Sequence, residues 1–383
     1  MKIAFCSNYF NHHQEALSKA LYKITDGNFR FITSGTVGEE RLRLGYQEMN
    51  RKHDFILRPY ESEEQKKEAL SWALESDVMI FGSGDESLFA ERMEKGGLTF
   101  RYLERPFKKG AWRRFVPGTK KKIFECYTKY KKNNLYLLCA SAYASRDLSL
   151  CGFDAKKCFK WGYFPEVKAY DIDALLSEKT PGSILWVGRF IDWKHPEAPV
   201  KMAETLKKNG KKFHLTMIGD GKEKPRIEKM IKEKNLEDVI TLTGSMPPEK
   251  VREYMEKAEI FLATSDFQEG WGAVLNEGMN SGCALVASHA MGGAPYLIKD
   301  GENGFLYKSG NIKSLVDKVV FLLDNPEKRR AFGKTAYETM QNTWNTEEAA
   351  KRLLALVSKA DAAEAGPCSS APVLKNNWYR EEF

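Results

Sequence analysis

At 383 residues the chain is too long for one ordinary hydrophobic core, so about two domains are expected. An apolar share of 42% beside 29% charged residues is that of a folded globular protein, and no apolar run approaches the roughly 20 residues that span a bilayer. The net charge of +8 is unevenly spread: twelve Lys and Arg stand between Arg101 and Asn134 against only Glu104 and Glu125, which places a positive field on one surface of the first half. Seven cysteines, an odd number without a CxxC pair, sit in or beside apolar runs and read as reduced core residues of a cytoplasmic protein. No metal cluster is visible in the sequence.

The first half alternates strand-like and helix-like segments. Residues 2–6 form a short apolar strand without the longer apolar region and cleavage site of a signal peptide. A helix is expected over 14–22, a strand over 29–33, and a helix over 63–75 that opens with Ser62 and Gln65 at the offset of a capping box. Strands follow at 77–82, running into Ser83-Gly84-Asp85, and at 135–140. Alternation of this kind argues for a parallel sheet covered by helices. A mostly polar stretch, 165–182, reads as a linker between a domain over 1–164 and a second over 183–358. In the second, strands are expected at 184–188, 213–218, 240–244, 260–263 and 283–287, with helices from Pro196 to 208, over 247–258 and over 312–323. The tail, 359–383, is loose over its Ala-, Ser-, Gly- and Pro-rich part, 360–372. Its aromatic end, Trp378-Tyr379-Arg380-Glu381-Glu382-Phe383, is suited to docking back. Two α/β sheets with a cleft between them follow, and in open α/β sheets ligands bind beyond the carboxyl ends of the strands.

Four features fall at such ends in the second half. Gly188-Arg189 with Lys194 puts a planar and a mobile cation in one loop, which suits a diphosphate, although two solvated charges would look the same. Gly219-Asp220-Gly221 and Thr243-Gly244-Ser245-Met246-Pro247 are turns that carry little weight alone. The fourth is Ser265 to Glu277, where an apolar strand meets a helix start through Glu269-Gly270-Trp271-Gly272-Ala273-Val274. Gly270 and Gly272 admit a close ligand, and a strand-to-helix loop aims unpaired N–H groups outward, a natural anion site. Glu269 and Glu277 would repel phosphate, so they make sense as grips on neutral hydroxyls beside it.

The ordered string from Glu269 through Glu277, Ser281-Gly282, Gly292-Gly293-Ala294-Pro295 and Asp300-Gly301-Glu302-Asn303-Gly304 resembles the donor-binding domain of the family 4 glycosyltransferases (glycosyltransferase group 1 domain). The Gly188-Arg189, Lys194 and Gly219-Asp220-Gly221 features match it in order, and the resemblance covers about 183–344. Departures are Gly278, where alanine is usual, and Tyr296, where a glutamate is usual. The resemblance implies the GT-B fold, α/β with two Rossmann-like domains facing a central cleft. It also implies retaining, metal-independent transfer of a hexose from a nucleotide-diphosphate sugar, with UDP or GDP as the nucleotide and no other cofactor. By the same resemblance Arg189 and Lys194 neutralise the diphosphate and Glu277 holds the ribose. Glu269 holds the transferred sugar, and the amides of Gly270, Trp271, Gly272, Ala273 and Val274 line its phosphate side, with Gly219, Gly244, Ser245 and Met246 nearby. Asp171-Ile172-Asp173 lies in the linker and is discounted as a metal site.

The first half matches that family only in outline. His12 and His13 occupy the place of a glycine-rich turn facing the diphosphate and either fill its role or are solvent-exposed residues of a helix start, and no histidine follows the strand at 77–82. Asp85 and Glu86 are the candidates there for the acceptor proton, and His12 shares the candidacy across the cleft. The basic segment 101–132, interleaved with Tyr102, Phe107, Trp112, Phe115, Phe124, Tyr127 and Tyr130, suits an anionic membrane surface. A solvated helix face and nucleic acid are the competing readings of that patch, nucleic acid the weaker. The expectation is thus a cytoplasmic enzyme, peripheral at the inner face of a membrane, that acts on a glycan or lipid-linked acceptor. Rival functions are a nucleotide-sugar epimerase or hydrolase on the same fold and a non-catalytic nucleotide-sugar-binding module. An NAD-dependent Rossmann enzyme lacks its GxGxxG after the first strand.

Overall fold

The computed structural model describes residues 1–39, 47–358 and 365–379. The chain divides into two compact units, 1–166 with 344–374, and 167–343 with 375–383.

The first unit is built on seven strands: β1 (Ile3–Ser7), β2 (Phe29–Thr33), β3 (Ile56–Leu57), β4 (Val78–Phe81), β5 (Thr99–Leu103), β6 (Leu135–Cys139) and β7 (Cys158–Lys160). They pair in parallel in the order β3-β2-β1-β4-β5-β6-β7. Every residue of β1 and β4 is buried, as a strand covered on both faces requires, and both read as continuous apolar runs. The helix Glu63–Glu75 forms as expected, with Ser62 Oγ accepting from Gln65 N at 3.2 Å. Only half of the capping box closes, because Gln65 Oε1 instead accepts from Arg58 N at 2.6 Å.

Three expectations change here. The helix Thr346–Val357 belongs to the first unit and packs on the helix His12–Ile24, where the sequence reading placed it in the second. The described part of the tail is not loose: Lys160 N donates to Ser369 O (2.7 Å) and Cys368 N to Lys160 O (2.8 Å), laying the tail antiparallel along β7. Residues 360–364 lie outside the described part. The basic stretch, third, is not wholly a surface. Arg101 sits in β5, buried between Phe81, Phe89 and Tyr127 and paired with Glu86. Arg105 is buried against Asp147, with two donations at 3.0 and 3.1 Å.

The second unit holds β8 (Ser183–Val187), β9 (His214–Ile218), β10 (Ile240–Gly244), β11 (Ile260–Ala263), β12 (Ala284–Ser288) and β13 (Gly304–Tyr307), all parallel, in the order β10-β9-β8-β11-β12-β13. Residues read as linker are part of it. The helix Ile172–Ser177 begins at Asp171, whose carboxylate accepts from Ala174 N (3.1 Å), and Asp173 pairs with Arg330 and Lys334. Lys179 is buried, and its ammonium donates to Met255, Glu256, Ala258 and Ser281 carbonyls at 2.8–3.3 Å. It thus closes the carboxyl ends of the helices Pro248–Lys257 and Val274–Asn280, whose last carbonyls have no partner within the helix.

Candidate functional site

In the second sheet the strand order reverses between β8 and β11, and in open α/β sheets ligands bind beyond the carboxyl ends of the strands at such a reversal. The glycine turns after β8, β9 and β10 are stitched to one another. Gly188 N donates to Ile218 O (3.0 Å), Phe190 N to Asp220 O (2.8 Å) and Gly219 N to Gly244 O (3.0 Å). The approach is so close that a Cβ on Gly219 would fall 2.0 Å from Gly188 O, at a φ of +137° that side chains avoid. Two turns that looked weak in the sequence are therefore one assembly. Ser245 is exposed and Met246 half-buried beside it.

Beyond β8 the exposed Arg189 lies over the Trp193 ring at 5.7 Å. Lys194 Nζ forms an ion pair with Glu269 Oε2, and Ser265 Oγ donates to the same oxygen at 3.3 Å. The structure thus brings together the cation and the acid that the sequence reading assigned to neighbouring parts of one ligand. The two loops are also fastened by groups the sequence reading passed over. Asp266 N donates to Trp193 O (2.9 Å), and Thr264 Oγ1 donates to Lys194 O (2.6 Å). His195 bridges Glu197 Oε1 (3.0 Å) and Asp266 Oδ2 (3.3 Å). Hydrogen bonds to Asp266 and Glu197 raise this imidazole to about 9, and Glu197 is drawn down to about 2 against its own burial. The available signal was His195 next to a helix-opening Pro-Glu; what it lacked was the distant Asp266.

The N–H groups of Gly270, Gly272, Ala273 and Val274 donate to no acceptor among the described residues, so the loop offers them outward. Trp271 does not face a ligand. It is fully buried, and its indole N–H donates to Asn276 Oδ1 at 2.8 Å, pinning the loop to the helix behind it. Glu277 lies one turn into that helix. Burial pushes its carboxyl above the usual range, and the charge of Arg252 only partly offsets this. Arg252 instead donates to Asn280 Oδ1 at 3.0 Å.

In the first unit, Asp85 caps the helix Glu86–Glu94. It accepts from Ser87 N (2.8 Å) and Ser87 Oγ (2.6 Å), bonds that lower its pKa and occupy it. That makes it a poor base, and Glu86 is committed to Arg101. His12 and His13 open the helix after β1 with rings 3.9 Å apart. Burial holds His12 below its usual value and takes His13 down to about 3, with His12 pressing the same way. His13, and not His12, lines a cavity of about 720 Å³ at the carboxyl ends of β1, β4 and β5. From the basic segment, Trp112, Phe115 and Phe124 are exposed, whereas Phe107 and Tyr130 are core. Among the described residues no group of three or more His, Cys, Asp or Glu could hold a metal ion, and no helix is long and apolar enough to cross a membrane.

Residues 168–339 match the sequence family described as Glycosyl transferases group 1. The poly(ribitol-phosphate) alpha-N-acetylglucosaminyltransferase of Staphylococcus aureus is 32% identical over 183 residues, 47% of this chain and 35% of that one. The alpha-D-kanosaminyltransferase of Streptomyces kanamyceticus is 32% identical over 153 residues, 40% of this chain and 39% of that one. The chain therefore spans well under half the length of these relatives. Among solved structures, HepE of Anabaena in complex with UDP matches with a TM-score of 0.69 at 15% identity, covering 94% of this chain and 100% of that one. TarM of S. aureus in complex with UDP matches with a TM-score of 0.57 at 23% identity, covering 76% and 59%. These likenesses establish the GT-B fold, with two parallel-sheet Rossmann-like domains. The part of the chain that matches the glycosyltransferase group 1 model lies in the second unit.

Proposed function

We propose that the protein is a retaining glycosyltransferase of family 4, moving a hexose from a nucleotide-diphosphate sugar to a glycan or lipid-linked acceptor in polysaccharide or glycolipid assembly. The observation that carries this reading is the Lys194–Glu269 pair at the switch point of the second sheet, beside four backbone N–H groups that have no acceptor among the described residues. Breaking the bond between the anomeric carbon and the phosphate oxygen sends its electron pair to the diphosphate. Arg189, Lys194 and the amides of Gly270 to Val274 are the groups placed to take up that charge. They supply the fixed positive field that a divalent cation supplies elsewhere, so the transfer is metal-independent. Glu269, released from Lys194 when the diphosphate takes the ammonium, turns to hydroxyls of the sugar. Glu277, whose ionised form burial disfavours, accepts two hydrogen bonds from a ribose diol. The turn at Gly244-Ser245-Met246 meets the base. Retention means that the acceptor oxygen bonds to the same face the diphosphate leaves, and the acceptor's proton passes to the departing diphosphate oxygen. Trp112, Phe115 and Phe124, with the surrounding Lys and Arg, hold the enzyme at an anionic membrane surface, peripheral to its cytoplasmic face.

The test is calorimetry with UDP, GDP and ADP, followed by product analysis with the matching sugar donor. Lys194→Met is expected to weaken the preferred nucleotide by about 10- to 100-fold, the loss of one charge-assisted contact worth about 1.5–3 kcal/mol. Glu269→Gln is expected to keep nucleotide affinity within about threefold while transfer falls at least about 100-fold, because its contacts strengthen at the reacting sugar. Undiminished turnover in both variants would falsify this site.

A further inference from the structure

The cavity in the first unit has two unlike walls. It sits where the first sheet also reverses its strand order, between β1 and β4. One wall is polar and uncharged. Gln14 Nε2 donates to Ser7 Oγ (3.1 Å), while Gln14 Oε1 and His13 Nδ1 are buried without a hydrogen-bond partner among the described residues. With its ring held neutral down to about pH 3, His13 offers hydrogen bonding without charge. Ser83 Oγ completes this side, accepting from Asn8 N at 3.2 Å. The other wall is cationic. Arg113 and Lys122 line the cavity, and neither has a carboxylate partner among the described residues. Glu104, the acid on this lining, is already engaged by Tyr163 OH (2.6 Å) and Lys108 Nζ (2.5 Å).

We infer that this cavity binds a polyhydroxyl compound that bears a phosphate, with hydroxyls on Gln14, His13 and Ser83 and the phosphate on Arg113 and Lys122. The inference rests on the transferase reading and gives its acceptor a chemical class: a sugar or polyol phosphate. Buried, unpaired polar atoms are costly unless a ligand completes them, and two cations without counter-charge favour a doubly charged group. A cavity of about 720 Å³ has room for one or two sugar-sized units with a phosphate. The same chemistry occurs in a soluble polyol phosphate and in a glycerophospholipid headgroup.

The experiment uses the full chain and four probes: ribitol, ribitol 5-phosphate, phosphatidylglycerol nanodiscs and phosphatidylcholine nanodiscs. Each is titrated by calorimetry into the wild type and into the double variant Arg113→Gln, Lys122→Gln, and UDP affinity is measured in both. The expected result is that ribitol 5-phosphate, or phosphatidylglycerol over phosphatidylcholine, binds at least about tenfold more tightly than its uncharged counterpart. The double variant is expected to abolish that preference while UDP affinity stays unchanged. Preference for ribitol 5-phosphate identifies a soluble acceptor, and preference confined to phosphatidylglycerol identifies a lipid-borne one. Equal binding of the charged and uncharged probes, or a preference that survives in the double variant, overturns the inference. Failure of UDP to bind while the phosphate preference holds sinks the transferase reading and leaves this site standing.

Discussion

Replacing His195 with asparagine isolates the clamp between the two loops of the second-unit site. His195 has a φ of +50°, a left-handed conformation that asparagine tolerates, so the substitution removes the charge and spares the backbone. The folded protein raises the imidazole from its ordinary 6.5 to about 9 through Asp266 and Glu197. Its stabilisation is therefore full below about pH 6.5, where the unfolded chain is also protonated, and is lost as pH rises through about 9. At about 1.36 kcal/mol per pH unit the ceiling is about 3.4 kcal/mol. The side chain is 37% exposed, and screening by solvent brings the expected figure to about 1–1.5 kcal/mol. The assay is urea unfolding of wild type and His195→Asn at several pH values from about 6 to about 10. The wild type should lose about 1–1.5 kcal/mol more than the variant across that range. Parallel curves would show that His195 is not held as a cation and that the clamp contributes nothing through charge.

Two further outcomes bear on the site and on the surface. Gly219→Ala places a Cβ 2.0 Å from Gly188 O at positive φ and should cost about 3 kcal/mol or more, whereas Gly210→Ala, at φ +66° with open space around it, should cost only about 1 kcal/mol; thermal unfolding of both compares clash with strain alone. Phe115 and Phe124 are 71% and 56% exposed, so Phe115→Ser with Phe124→Ser should leave stability nearly unchanged yet lower sedimentation with anionic vesicles by about tenfold. Equal sedimentation of wild type and variant would remove the membrane from the proposal.

The central strands were legible because they are buried on both faces. β2, β10 and β11 fall where their apolar runs end, and Glu269 with Lys194 was recognisable as part of an ordered string. β5 was not legible, because Thr99-Phe100-Arg101-Tyr102-Leu103 carries a charge that looks exposed until Glu86 and three aromatic rings are found around it. The capping role of Asp85 was missed for a similar reason. A carboxylate two residues before a serine at a helix start is a cap, and that use is local while the chemistry is not. The clamp at His195 depends on Asp266, 71 residues away, and no spacing rule reaches that far. Trp271 sits inside the matching string yet faces inward, because its indole N–H is spent on Asn276.

Near the end of the tail, Tyr379 stacks on His289 and donates to Asp300 Oδ2 at 3.0 Å; residues 380–383 lie outside the described part. The start of the second unit matters more for anyone dividing the chain. Lys179 stands four residues ahead of β8, in what reads as a connector, yet its ammonium ties off the helix that carries Glu277. A fragment begun at residue 183 would keep every residue of the proposed nucleotide site and lose the rivet behind it. Such a fragment is expected to have a looser Glu277 helix and, on the proposed function, weaker nucleotide binding than one begun at residue 167, although the two share every group proposed to meet the ligand.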